Sequence, residues 1–273
     1  MPEKRRIPTE RRAQVVAVAQ YSNALKACQP SLLRQVYGAS KSLIHGLFPA
    51  TCLLCLDPGQ PPDLDLCRDC EDDFPRNAPA CPRCAMPLAS GTAGCAHCGT
   101  RAPAFEAAFA PFRYEFPMAE LIHRLKYGGQ ITIARVLGIV LARRLLERGR
   151  PAVDALVPVP LHAAREARRG YNQAYEIARF AGGLLGLPVL DRLALRLRAT
   201  EEQAALPASV RRVNVSGAFE ALAGCAPPSL AIVDDVLTTG ATADALAQAL
   251  KRAGARHVEA WAVARATGDP GQR

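Results

Sequence analysis

Ser229-Leu-Ala-Ile-Val-Asp-Asp-Val-Leu-Thr-Thr-Gly-Ala-Thr242 places a strand, two carboxylates, a phosphate cradle and a helix start in one unbroken run. Leu230 to Val233 is short, apolar and rich in branched side chains, which predicts a buried parallel strand; the Ala/Leu-rich stretch from Ala241 to Gly254 predicts a helix. In the turn between them, Thr238, Thr239 and Thr242 offer hydroxyls and Gly240 permits close backbone approach. Ala241 begins a helix whose unpaired N–H groups face an incoming anion. Asp234 and Asp235 are expected at the carboxyl end of the strand, where open α/β sheets hold ligands and where an acidic pair suits ribose hydroxyls or a hydrated cation. Singly, these are ordinary turn and cap residues. Together and in register they point to a ribose 5-phosphate site.

Working outward, 273 residues at 49% apolar composition allow one substantial core and a small second module. Eight of the ten cysteines form four Cys-x-x-Cys pairs: Cys52/Cys55, Cys67/Cys70, Cys81/Cys84 and Cys95/Cys98. Two such pairs across a short loop supply four thiolates for a tetrahedral zinc, so the set predicts two structural zinc sites with no open catalytic position. A disulfide framework is the alternative, but no secretory signal precedes the module and no segment reaches the length of a membrane span. The chain therefore reads as cytoplasmic, with reduced thiols. The formal charge is +9, and residues 1–41 carry Lys4, Arg5, Arg6, Arg11, Arg12, Lys26, Arg34 and Lys41 against Glu3 and Glu10. Such an arm either binds nucleic acid or another acidic surface, or is simply solvated.

The expected organisation is a basic mobile extension over 1–30, an amphipathic helix over 31–49, a zinc module over 50–102, an α/β domain over 107–266 and a tail over 267–273. The zinc module is rich in Pro, Gly and Asp, so metal binding should supply much of its folding free energy. In the α/β domain, strands are predicted near 108–114, 155–160, 189, 193–197, 230–233 and 258–264, alternating with helices near 117–127, 131–148, 166–185 and 241–254. That alternation favours a mostly parallel sheet.

A second group of matches lies before the opening stretch. Val157-Pro-Val-Pro-Leu-His162 ends a strand, with Arg165, Arg168 and Arg169 close behind, and rigid turns beside guanidiniums suit a pyrophosphate. Taken with His123-Arg-Leu-Lys-Tyr127, Arg169-Gly-Tyr-Asn-Gln173, the spaced set Thr200, Gln203, Leu206, Arg211 and Asn214, and the four cysteine pairs, these segments resemble the ComF family of competence-associated phosphoribosyltransferase-like proteins over about residues 43–266. The resemblance implies a double zinc ribbon followed by an α/β domain of type I phosphoribosyltransferase type. It also implies that Asp234 and Asp235 contact ribose hydroxyls of phosphoribosyl pyrophosphate, while Thr238, Thr239, Gly240, Ala241 and Thr242 hold its 5-phosphate. Residues 157–162 would form the pyrophosphate loop, with Val159, Pro160, Leu161 and His162 binding substrate, residues 198–219 with Arg211 a hood, and Lys126 and Arg169 further anion contacts.

Two functions are consistent with these residues. One is an Mg²⁺-dependent transferase moving the phosphoribosyl group to an unidentified acceptor in connection with DNA uptake. The other is a non-catalytic accessory protein of the DNA-uptake machinery that senses a sugar phosphate and binds single-stranded DNA through its ribbons and basic arm. Aromatic residues make up only 5% of the chain, and none is interleaved with the arm's cations in a way that would build a stacking platform.

Overall fold

A computed structural model describes residues 49–89, 95, 98–99, 102–198 and 217–267. The expected basic extension, the amphipathic helix except its last residue, Arg211 with most of the hood, and all but the first residue of the tail lie outside the described residues. The chain divides into two compact units, one ending at Glu71 and the other beginning at Asp72.

In the first unit, Thr51 and Pro58 bridge antiparallel around Cys52 and Cys55, and Leu56 takes a left-handed φ of 70° immediately after the second cysteine. Gln60 pairs with Leu64, and Leu64 and Leu66 are buried beneath the loop. A short helix, α1 (Arg68–Asp72), follows. The second unit opens with the same hairpin. Ala80 and Pro87 bridge around Cys81 and Cys84, and Ala85 has φ 57° where the first hairpin has Leu56.

The second hairpin is tied to the sheet of its own unit. Asn77 donates from its side chain to the carbonyls of Ala85 and Ala110, both at 2.9 Å, and Ala108 N–H donates to Pro82 O at 3.0 Å. Phe74 packs edge-on against Phe112. The sheet has the order β1 (Ala107–Phe109), β7 (His257–Arg265), β6 (Ser229–Leu237), β3 (Ala155–Pro158), with β2 (Phe112–Arg113) also on β7. Every pairing in it is parallel. The expected strand over 108–114 is split at Pro111, which has no N–H to give the ladder and whose carbonyl instead accepts from Asn77 N–H.

Helices α2 (Met118–Tyr127) and α3 (Thr132–Glu147) follow β2. The single helix expected over 166–185 is two, α4 (Ala163–Arg169) and α5 (Gln173–Leu185). Gly170, with φ 83°, ends α4, and Asn172 caps α5 by accepting from the N–H groups of Ala174 and Tyr175. α3 and α5 pack closely: a Cβ on Gly138 would stand 2.6 Å from Ile177 O. The strand expected near Val189 is a single parallel bridge to Leu156. The one near 193–197 is β4 (Ala194–Arg196), which leaves the main sheet and pairs antiparallel with β5 (Phe219–Ala221). Helix α6 (Ala241–Arg252) joins β6 to β7.

These connections locate a crevice. From β1 the chain moves outward across the sheet to β3 and Val189, then returns through β6 to β7. Right-handed crossovers therefore put α3 and α5 on one face and α6 on the other. The reversal falls between β3 and β6, and parallel sheets of this kind bind ligands beyond the carboxyl ends of such strands.

Candidate functional site

At the reversal, β3 stops before β6 does. Pro158 is the last β3 residue in register, opposite Val233, and Val159 N–H makes a final bond to Val233 O at 2.9 Å. Pro160 has no N–H with which to extend the ladder. β6 nevertheless continues to Leu237, held by β7 on its other edge. The strand expected over 230–233 is thus longer at its carboxyl end, and Asp234 and Asp235 lie within it, on the stretch that β3 leaves uncovered.

Successive strand residues point to opposite faces, so the two carboxylates meet different surroundings. Asp235 is only 3% exposed and forms an ion pair with Lys126 Nζ at 3.1 Å. Asp234 keeps a small opening to solvent though atoms crowd it closely, and its Oδ1 accepts from Asp235 N–H at 2.9 Å. Its pKa is pushed up to about 7, first by burial and then by the Asp235 charge, with Lys126 opposing both. Burial works against the charge on Lys126, but Asp235 and then Asp234 outweigh it and hold the ammonium above its ordinary value.

Lys126 is placed by the segment 169–173. Tyr171 OH donates to Leu125 O, Arg169 stacks 5.5 Å from the centroid of the Tyr127 ring, and Arg169 Nη1 donates to Gln173 Oε1 at 2.5 Å. Arg169 therefore braces the end of α2. Asn172 joins this segment to the loop after β3 by donating to Val159 O at 3.1 Å. Within that loop Val159 and Pro160 are buried, Leu161 and His162 half-buried, and His162 Nδ1 accepts from Ala164 N–H at 3.3 Å.

The turn after β6 is formed by Thr238, which is exposed, and Thr239, Gly240, Ala241 and Thr242, which are half-buried. Gly240 has φ 75° and precedes α6; Thr239 Oγ1 accepts from Ala241 N–H at 3.3 Å. The structure thus brings Asp234, Asp235, Lys126 and the 238–242 turn to the same end of the sheet, with the 159–162 loop on the neighbouring strand.

Two further arginines belong to this region. Arg196 on β4 lies 5.4 Å from the Phe219 ring centroid; burial and then Arg165 lower its pKa while Asp234 opposes them, so the three charges share one neighbourhood. Arg265 ends β7, is 1% exposed and bonds main-chain carbonyls on both sides of the turn's start. Burial lowers its pKa, and the cysteines Cys84, Cys95, Cys98 and Cys81 act against that. A lone arginine closing the apolar run 260–264 was the available signal for it, since a buried cation needs compensating partners.

The cysteines gather into two four-thiol clusters, Cys52/Cys55/Cys67/Cys70 and Cys81/Cys84/Cys95/Cys98, each with its sulfurs within 4.8 Å of one another. The Sγ–Sγ separations are 3.6 Å for Cys55–Cys67, 3.9 Å for Cys81–Cys98 and 3.6 Å for Cys84–Cys95. A tetrahedral ion with Zn–S bonds of about 2.3 Å sets its sulfurs about 3.8 Å apart, so both clusters fit zinc. No disulfide forms among the described cysteines. No helix among the described residues is long and apolar enough to cross a membrane.

The molecule is therefore an α/β protein with a mostly parallel sheet, an N-terminal zinc-ribbon module and an acidic pair beside a helix-opening turn. Residues 43–103 match the family model of the double zinc ribbon domain. The DNA utilization protein YhgH of Salmonella typhi is 31% identical over 221 residues, covering 80% of this chain and 97% of its own. Competence protein F of Haemophilus influenzae is 32% identical over 210 residues, covering 74% and 90%; competence protein ComFC of Streptococcus pneumoniae is 25% identical over 205, covering 74% and 89%. The chain belongs to the ComF family of competence proteins.

Proposed function

We propose that this protein is a phosphoribosyltransferase that binds phosphoribosyl pyrophosphate with Mg²⁺ and transfers the phosphoribosyl group to an acceptor, within DNA uptake or DNA utilization. The observation that carries the reading is the acidic pair on the uncovered end of β6, followed directly by the Thr238–Thr242 turn at the start of α6. In this reading residues 50–102 are the double zinc ribbon and 107–266 the transferase domain. The similarity to DNA utilization and competence proteins supports the setting.

Each group has a task in that chemistry. N–H groups at 239–242 and the threonine hydroxyls hold the 5-phosphate. Asp234 and Asp235 accept from the ribose hydroxyls, and the all-oxygen, anionic donor set they present suits a hard cation. When bound, Mg²⁺ neutralises pyrophosphate charge and orients the donor. A nitrogen of the acceptor attacks C1 as the C1–O bond breaks, and pyrophosphate departs with the electron pair. The nitrogen then loses its proton. The 159–162 loop and Arg165 offset the charge gathering on pyrophosphate, while Asp234 and Asp235 stabilise positive charge on the ribose ring.

Calorimetric titration with phosphoribosyl pyrophosphate and Mg²⁺ tests the binding step, and pyrophosphate release across a panel of nitrogen acceptors tests transfer. Binding and release are both expected in the parent and lost in Asp235→Asn. Binding without release across a broad panel would refute transfer.

A further inference from the structure

Arg265 is buried in a position that the proposed chemistry does not use directly. Its Nε donates to Cys84 O at 3.1 Å, and its Nη1 donates to Leu237 O at 2.7 Å, to Ala266 O at 3.0 Å and to Thr238 O. All four acceptors are main-chain carbonyls, so none supplies a full countercharge. The nearby negative charge is the second cysteine cluster, whose four members all act electrostatically on the guanidinium. Four thiolates around one divalent ion leave a formal charge of about −2, which a neighbouring buried cation stabilises and is stabilised by.

The geometry has two ends. Cys84 lies in the hairpin that carries two of the cluster's four thiolates, and main-chain bonds fix its shape: Ala85 N–H donates to Cys81 O and Cys81 N–H to Met86 O, both at 2.8 Å. Leu237 and Thr238 are the last strand residue and the first turn residue before the phosphate cradle. The rigid, forked guanidinium reaches both, which the single ammonium of lysine cannot do.

We infer that Arg265 is a positioning residue coupling the metal-loaded Cys81/Cys84/Cys95/Cys98 cluster to the Thr238–Thr242 turn, so that zinc in this cluster sets the turn's order and thereby its affinity for a sugar phosphate. The ligand named here rests on the sugar-phosphate reading above; the coupling itself does not. Linkage also requires the converse, that a sugar phosphate on the turn strengthens zinc retention in the cluster.

The test compares the full-length parent, Arg265→Lys and Cys98→Ser by zinc content, amide hydrogen exchange over 238–246 and calorimetric titration with ribose 5-phosphate. Arg265→Lys keeps the charge and is the decisive variant should Cys98→Ser fail to fold. Expected in both variants is exchange in the turn at least about tenfold faster than in the parent, with ribose 5-phosphate affinity reduced by a similar factor. Zinc release from the parent to a chelator should slow when ribose 5-phosphate is present. Turn exchange unchanged in Arg265→Lys overturns the coupling, whatever the ligand data show. Accelerated exchange in a protein whose parent ignores ribose 5-phosphate supports the coupling and refutes the sugar-phosphate reading instead.

Discussion

Asp234 carries a measurable penalty in the ligand-free fold. Its carboxyl moves from 3.8 to about 7 on folding, chiefly through burial and then through Asp235. At low pH both folded and unfolded chains hold the proton and nothing is lost. As pH rises past 3.8 the unfolded chain ionises while the folded one keeps its proton, so stability falls with pH until the folded carboxyl also ionises near 7. The full cost at pH 8 is about 4 kcal/mol, and about 3 kcal/mol is already lost at pH 6. Asp234→Asn removes the titration, so its stability relative to the parent should improve by about 1 kcal/mol between pH 6 and pH 8. Using the difference between two pH values cancels the pH-independent effect of exchanging carboxyl for amide. Lys126, held above its ordinary value, stays charged throughout and does not distort the comparison. Urea unfolding of both proteins, zinc-loaded and free of Mg²⁺ and sugar phosphate, measures it. A difference that stays flat with pH, or that moves against the variant, would refute the assigned environment of Asp234.

Other consequences follow from the same contacts. Lys126→Met leaves Asp235 buried without its ammonium and should cost about 3 kcal/mol at pH 7; the double change with Asp235→Asn should recover much of it in a denaturation cycle. Gly240→Ala meets no atom nearer than the Phe105 ring at 3.9 Å, so its cost is the left-handed backbone alone, about 1–2 kcal/mol by thermal unfolding. Gly138→Ala drives a methyl to 2.6 Å from Ile177 O and 2.9 Å from Phe180 Cβ; forcing α3 from α5 should cost about 2–3 kcal/mol in the same assay. Chelating zinc should abolish protection from proteolysis across 50–71, where buried side chains are few and the thiolates hold the loops.

Local chemistry made much of this protein legible in its sequence. Cys-x-x-Cys spacing announces thiolate clusters because two ligands on one tight turn reach the same ion, and the apolar runs at 155–158, 230–233 and 260–264 announce buried parallel strands. Asp-Asp-Val-Leu-Thr-Thr-Gly-Ala-Thr encodes its turn because Gly240 and the following helix are specified by adjacent residues. Tertiary structure decided what depends on distant partners. β6 runs on through Asp235 because β7 supports it after the prolines end β3, and Asp235 acquires Lys126 from a helix more than a hundred residues earlier. β5 escaped notice because three residues with one large apolar side chain gain strand identity only from β4. The thiolate pairs are used consecutively, and Arg265 gains its place only where Cys84 and Thr238 are folded against the end of β7. Sequence specifies what neighbouring residues can become; the charges and hydrogen bonds that tune the site come from residues brought together only after the sheet is assembled.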